Sequence, residues 1–211
     1  MSYGLGMDIG RNITNTLIEV DGDALAAGIR AIVSGGKPLL TEQEARDAMN
    51  EFRSAMQAKQ AERQKMMQEK NKEAGEKSKK EGVDFLAKNR TAEGVKTNAS
   101  GLQYKVLTQG KGKIPESADT VIAHYRGTLI DGTEFDSSYK RGEPSKFPVR
   151  GVIKGWTEAL QMMPVGSKWQ LFIPSELAYG EPGRPPSIPP NSVLLFDLEL
   201  VGIEGEDGKP K

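Results

Sequence analysis

The chain has 211 residues, with 29 basic and 29 acidic side chains, one histidine and no cysteine. Balanced charge excludes a global basic field for nucleic acid or anionic membrane surfaces. The absence of thiols excludes disulfides, thiolate metal sites and cysteine nucleophiles, and a single histidine argues against a Ser-His-Asp triad or a histidine metal centre.

No run approaches the roughly 18 apolar residues that a membrane-spanning helix needs. No basic-then-apolar leader precedes Ser2, as expected of a chain without a signal peptide or with one removed. Over residues 1–40, Ile9, Ile13, Leu17 and Val20 recur at helical spacing, as do Leu25, Ile29, Ile32 and Val33. Asp21-Gly22-Asp23 breaks the first pattern and Ser34-Gly35-Gly36-Lys37-Pro38 ends the second. So short a segment hides too little surface to bury its own apolar stripes. It needs a partner, either the C-terminal domain or a second copy of the chain.

Thr41-Glu42-Gln43-Glu44 forms a capping box. A long helical pattern follows, with Ala45, Ala48, Met49, Phe52, Ala55 and Met56 on one apolar face. After Lys59 the face fades into Lys, Glu and Gln, with Met66 and Met67 as a last apolar spot. Residues 57–82 read either as a charged linker without fixed structure or as a helical spacer. The spacer is the preferred reading, running from Thr41 to about Asn89 and spanning roughly 70 Å at the helical rise. Gly75 and Gly82 each weaken it by about 1 kcal/mol relative to Ala.

Residues 91–101 are turn-rich and mark a boundary. Beyond them Leu102, Tyr104 and Val106 alternate as in a strand, as do Trp169, Leu171 and Ile173, and Phe196, Leu198 and Leu200. One short helix fits Gly155 to Met163, ahead of Pro164. The expected fold is α+β: an antiparallel twisted sheet wrapped on a short helix, preceded by an all-α N-terminal region and a long connecting helix. The expected organisation is a helical region over 1–40, a spacer over 41–97, a sheet domain over 98–204 and a flexible tail over 205–211.

Within the sheet domain six motifs stand in order: Ala123-His124-Tyr125-x-Gly127, Asp131-Gly132-x-x-Phe135-Asp136-Ser137-Ser138, Val152-Ile153-x-Gly155-Trp156, Ala178-Tyr179-Gly180, Ile188-Pro189-Pro190 and Leu195-Phe196-Asp197. Together they resemble the FK506-binding protein (FKBP) family of peptidyl-prolyl isomerases, from about Ser100 to Ile203. The resemblance implies rotation about Xaa-Pro bonds, against a barrier of about 18–20 kcal/mol. That reaction requires no nucleophile, metal or cofactor. A dry apolar pocket with a few fixed donors and acceptors favours the twisted imide, which disperses less charge than the planar ground state.

By the same resemblance, Trp156 forms the pocket floor beneath the proline ring. Tyr125, Phe135, Val152, Ile153 and Phe196 form the walls, and Phe147 an inner wall. The Ile153 N–H and the Tyr179 hydroxyl would each donate to a substrate carbonyl. Asp136 would orient polar groups at the rim, with Arg141 as basic partner of Asp136 and Tyr125, and Ile188 would close one side. Taken singly, Phe147 and Phe196 read equally as plain core, and Asp136 as a turn residue bonding its own backbone. His124 reads as a half-buried strand residue and not as a base. Two residues depart from the family pattern. Ser145 replaces a wall aromatic, which should loosen the rim and weaken macrolide binding, and Arg184 replaces a loop histidine, which changes the charge at the mouth.

The front half carries a second resemblance. Ser2-Tyr3-Gly4-Leu5-Gly6, Asp8-Ile9-Gly10-Arg11-Asn12, Leu129-Ile130-Asp131-Gly132-Thr133 and Pro148-Val149-x-Gly151-Val152-Ile153 resemble the bacterial Mip-like (macrophage infectivity potentiator) branch. This implies a V-shaped homodimer joined through residues 1–40 and the start of the long helix. It also implies proline-containing unfolded or partly folded clients, chaperone activity, and macrolides of the FK506 and rapamycin type as inhibitors. The implied location is periplasmic or at the outer membrane, with the cytoplasm as the alternative. The competing expectation is a prolyl-binding chaperone module that holds its clients without turnover. No nucleic acid, membrane span, metal or cofactor is expected.

Overall fold

The structure, a computed structural model, describes residues 2–14 and 20–205. Leu17 of the first stripe and residues 206–211 of the expected tail lie outside the described residues. The chain forms two compact units, Met1–Glu69 and Lys70–Lys211.

In the first unit, α1 (Ser2–Thr14) and α2 (Gly22–Val33) follow the two apolar stripes. Asp21, in the segment read as a breaker, starts α2: its carboxylate accepts the N–H groups of Asp23 and Ala24 at 2.8 and 3.0 Å. Neither helix buries a residue, and Tyr3, Leu5, Ile32, Val33, Leu39 and Leu40 are exposed.

The helix α3 spans Glu42–Asn89, 48 residues, so residues 57–82 are helical and not an unstructured linker. Its capping box closes as read from the sequence. The Thr41 N–H and hydroxyl donate to Glu44 Oε2 at 2.8 and 2.7 Å, and the Glu44 N–H donates to Thr41 Oγ1 at 3.2 Å. The hydrogen bond from the Thr41 backbone, helped by its hydroxyl, holds the Glu44 carboxyl below the usual range.

The second unit is built on one antiparallel sheet of β1 (Val95–Thr97), β2 (Gln103–Thr108), β3 (Thr120–Leu129), β4 (Glu134–Ser137), β5 (Ser145–Pro148), β6 (Lys168–Ile173) and β7 (Leu194–Ile203). The order is β1-β2-β6-β7-β3, and the far edge of β3 is shared: β5 pairs with Thr120–Ala123 and β4 with Arg126–Thr128. The strand β1 falls inside the stretch read as turns, since its three residues are too few for an alternation to register. Alternate residues of β7, Leu194, Phe196, Leu198 and Leu200, all point into the core.

Two short helices complete the unit, α4 (Ser138–Arg141) and α5 (Lys154–Leu160). The latter ends sooner than the sequence pattern suggested, and Met163 joins the core from the turn beyond it. Gly155, Trp156, Ala159 and Leu160 of α5 are buried. The approach requires Gly155, because a Cβ there would stand 2.5 Å from Ile173 Cγ2.

The end of α3 is part of this unit. Gly75 and Gly82, expected only to weaken the helix, are its two buried residues. A Cβ on Gly82 would lie 2.8 Å from Val193 Cγ2, and one on Gly75 would lie 3.0 Å from Pro190 Cβ. Their spacing of two turns puts them on one helix face. Further along, Phe85 meets Phe172 at 6.0 Å between ring centres. Gln103 donates to the Leu86 carbonyl at 2.9 Å and accepts from the Asn89 amide at 2.8 Å.

Candidate active site

The motif residues converge on one cavity of about 820 Å³. Trp156 enters it from the first turn of α5 and is 3% exposed. Three rings meet its indole edge-to-face: Tyr125 from β3 and Phe147 from β5, both at 5.3 Å, and Phe196 from β7 at 5.2 Å. Phe135 of β4 extends the wall by an edge contact to Phe196 at 5.5 Å. Gly127 is needed behind this wall, since a Cβ there would lie 2.6 Å from the Phe135 ring and 2.8 Å from Phe196.

Val152 and Ile153 line the cavity from the turn ahead of α5. Ile153 is extended, and its carbonyl caps the helix by accepting the Trp156 and Thr157 N–H groups at 2.9 and 3.1 Å. The Ile153 N–H finds no acceptor among the described residues. Tyr179 and Ile188 also line the cavity, from the loop between β6 and β7. Ile188 is held by two backbone bonds with Arg184, at 2.8 and 3.0 Å. The Arg184 guanidinium lies 5.7 Å from the Tyr179 ring centre and donates to its hydroxyl at 3.3 Å.

A polar network closes the rim. The Tyr125 hydroxyl donates to Asp136 Oδ2 at 2.6 Å, and Arg141 donates to Asp136 Oδ1 at 2.8 Å. The second Arg141 amino group donates to the Tyr125 hydroxyl at 2.7 Å and to Ser145 Oγ at 3.1 Å. Burial opposes the ionised form of Asp136, but the hydrogen bonds from Tyr125 and Arg141 outweigh it and hold the carboxyl below its usual range. Burial pushes the Tyr125 phenol above its ordinary value, and its bond to Asp136 pushes the same way.

Of the eleven residues singled out from the sequence, ten line the cavity: Tyr125, Phe135, Asp136, Phe147, Val152, Ile153, Trp156, Tyr179, Ile188 and Phe196. Phe147 and Phe196 line the cavity, and Phe196 is at the same time part of the buried core. Arg141 stands behind the rim, one hydrogen bond from both Asp136 and Tyr125. Gly151, Ala178 and the run Pro185-Pro186-Ser187 also line the cavity and were not singled out; the proline run itself was the available signal. His124 is half-buried, stacked on Tyr139 at 4.7 Å, with Nδ1 3.0 Å from Ser138 Oγ.

An aromatic box with polar groups at its edge lines the cavity, which fits the resemblance seen in the sequence. Comparison with known proteins agrees. Residues 111–201 match the family model described as FKBP-type peptidyl-prolyl cis-trans isomerase, and residues 1–106 match the domain amino-terminal to such isomerases. The FKBP-type 22 kDa peptidyl-prolyl cis-trans isomerase of Escherichia coli is 45% identical, over 96% of this chain and 93% of that relative. The outer membrane protein MIP of Legionella longbeachae is 42% identical, over 97% of this chain and 84% of its own. The crystal structure of FkpA from Escherichia coli matches with a TM-score of 0.64 at 40% identity, over 96% of this chain and 94% of that one. The chain belongs to the FKBP-type peptidyl-prolyl cis-trans isomerases, and it catalyses rotation about Xaa-Pro bonds in proline-containing substrates. Among the described residues, no helix is long and apolar enough to cross a membrane.

Proposed function

We propose that isomerisation takes place in the aromatic cavity, with each lining residue contributing by position and not by chemical reaction. The observation that carries this reading is the Trp156 indole walled by three rings, with the unpartnered Ile153 N–H beside it. The proline ring stacks on Trp156 between Tyr125, Phe135, Phe147 and Phe196, and water is excluded from the amide. The Ile153 N–H and the Tyr179 hydroxyl each donate to a substrate carbonyl. Arg184 already donates to the Tyr179 oxygen, which leaves the phenol proton free to point at the substrate. Asp136 and Arg141 fix Tyr125, so the wall keeps its shape as the bond turns. Val152 and Ile188 shape the ends. Stabilising the twisted amide more than either planar form is catalysis by differential binding.

The test is exchange NMR on a Leu-Pro tetrapeptide without a coupling protease. Trp156→Leu should lower kcat/KM at least about tenfold, as expected for the loss of a floor ring worth more than about 1.4 kcal/mol in the transition state. Tyr179→Phe should lower it less, by one hydrogen bond. A macrolide of the FK506 type should suppress wild-type turnover by competition. Full activity in Trp156→Leu would move the reaction elsewhere.

The proposal extends to assembly. Residues 1–40 and the start of α3 form a homodimer interface, supported by the exposed Leu5, Ile32 and Val33 on α1 and α2, which bury nothing themselves, and by the exposed Leu39 and Leu40 just ahead of α3. Residues 41–97 space the isomerase domains, 98–204, apart in a V, and a client held at both sites gains avidity, giving chaperone activity. One relative is named an outer membrane protein, which supports a periplasmic or outer-membrane location for this chain.

A further inference from the structure

We propose that Arg184 makes this enzyme prefer prolyl segments that carry an acidic residue next to the Xaa-Pro bond, a selectivity that rests on the pocket reading above. Two charged side chains line the cavity, Asp136 and Arg184. They are not equivalent. Asp136 is neutralised in place, with Arg141 at 2.8 Å on one oxygen and the Tyr125 hydroxyl at 2.6 Å on the other. Arg184 has no such partner. Its guanidinium reaches only Tyr179, and it forms no ion pair among the described residues. Glu181, three positions earlier in the same loop, makes none with it. The mouth of the cavity therefore holds a positive charge that the protein leaves uncompensated.

The position of that charge decides what it selects. It lies over Tyr179, the residue that donates to a substrate carbonyl, so the substrate residue docked there passes close to the guanidinium. Lys154, on the segment that supplies Ile153, is exposed and likewise without an ion pair among the described residues. Among the described residues, no other anionic group lines the cavity to offset this sign once Asp136 is paired. At contact distance in water, opposite unit charges attract enough to change binding about fivefold, and the effect fades once the screening length shrinks at high salt. The loop does not depend on the side chain, because Arg184 holds Ile188 through backbone atoms alone.

The experiment compares peptides built on Leu-Pro, with Glu or Lys placed directly before Leu or directly after Pro. Exchange NMR is run at low salt and at about 0.5 M salt. The wild type should turn over the Glu peptide at least about fivefold better than the Lys peptide in at least one of the two positions, and salt should collapse the ratio. Arg184→Gln should bring the ratio near unity, and Arg184→Glu should invert it. An unchanged Glu-to-Lys ratio in Arg184→Glu, or a ratio insensitive to salt, overturns the proposal. Failure of the pocket reading looks different: Trp156→Leu would then leave the turnover of every peptide intact.

Discussion

At the residue scale, Asp136 shows how one carboxylate serves a site without taking part in proton transfer. Its folded-state value lies below the usual carboxylate range. It therefore adds stability that is present above the ordinary value near ~3.9 and is lost as pH falls through the lowered one. Tyr125 is raised, so its contribution is present below about 10 and is lost as pH rises through the folded value. The network should thus be indifferent to pH across the neutral range. Urea unfolding of the wild type and Asp136→Asn from neutral to strongly acid pH checks this. The stability difference should hold steady near neutrality and shrink only in acid, and a difference that stays constant throughout would contradict it. Tyr125→Phe should raise the midpoint of the Asp136 carboxyl carbon in an NMR titration. Asp136 and Tyr125 were legible in the sequence because they sit in the motif set, and Arg141 because the family resemblance supplies it as their basic partner. The bond from Arg141 to Ser145 was not, because a serine in place of an aromatic reads as a loss. In the folded chain its hydroxyl gives the guanidinium a further acceptor.

At the scale of elements, the docking of α3 was the feature hidden from the sequence. A glycine in a polar helix reads as a weak point, because its neighbours along the chain say nothing of what packs on it. Here the Gly75 carbonyl accepts from Asn191, 116 positions away. The long helix itself was legible, since its capping box and length are local properties. The three-residue β1 was not, because only its pairing with β2 makes it a strand. The glycine contacts make a clear prediction. At an exposed helical position, replacing Gly with Leu would add stability. Gly82→Leu should instead destabilise by about 1–3 kcal/mol, because the buried Val193 must move. The same change should quicken hydrogen exchange in residues 189–193 and, through Ile188, raise KM for peptides. A variant more stable than wild type would show that the helix is not held there.

At the scale of the molecule, the place to divide the chain follows from that docking. A cut at residue 98 would remove Phe85 from Phe172 and strip Gln103 of its bond to Leu86. A cut at residue 70 keeps both. Residues 70–211 should therefore match the full chain on tetrapeptides and unfold at higher urea than residues 98–211. Both fragments should be monomeric by analytical ultracentrifugation and poorer than the full chain at speeding the refolding of a proline-limited protein. Equal refolding rates would remove the case for a chaperone built on two linked sites. The aromatic floor has one further use. The chain has two tryptophans. Trp169 lies stacked against Tyr104 at 4.6 Å, away from the cavity lining, whereas Trp156 faces whatever enters. Replacing Trp169 with Phe would leave a single native fluorophore at the bottom of the site, so the emission of the unlabelled protein would read its own occupancy.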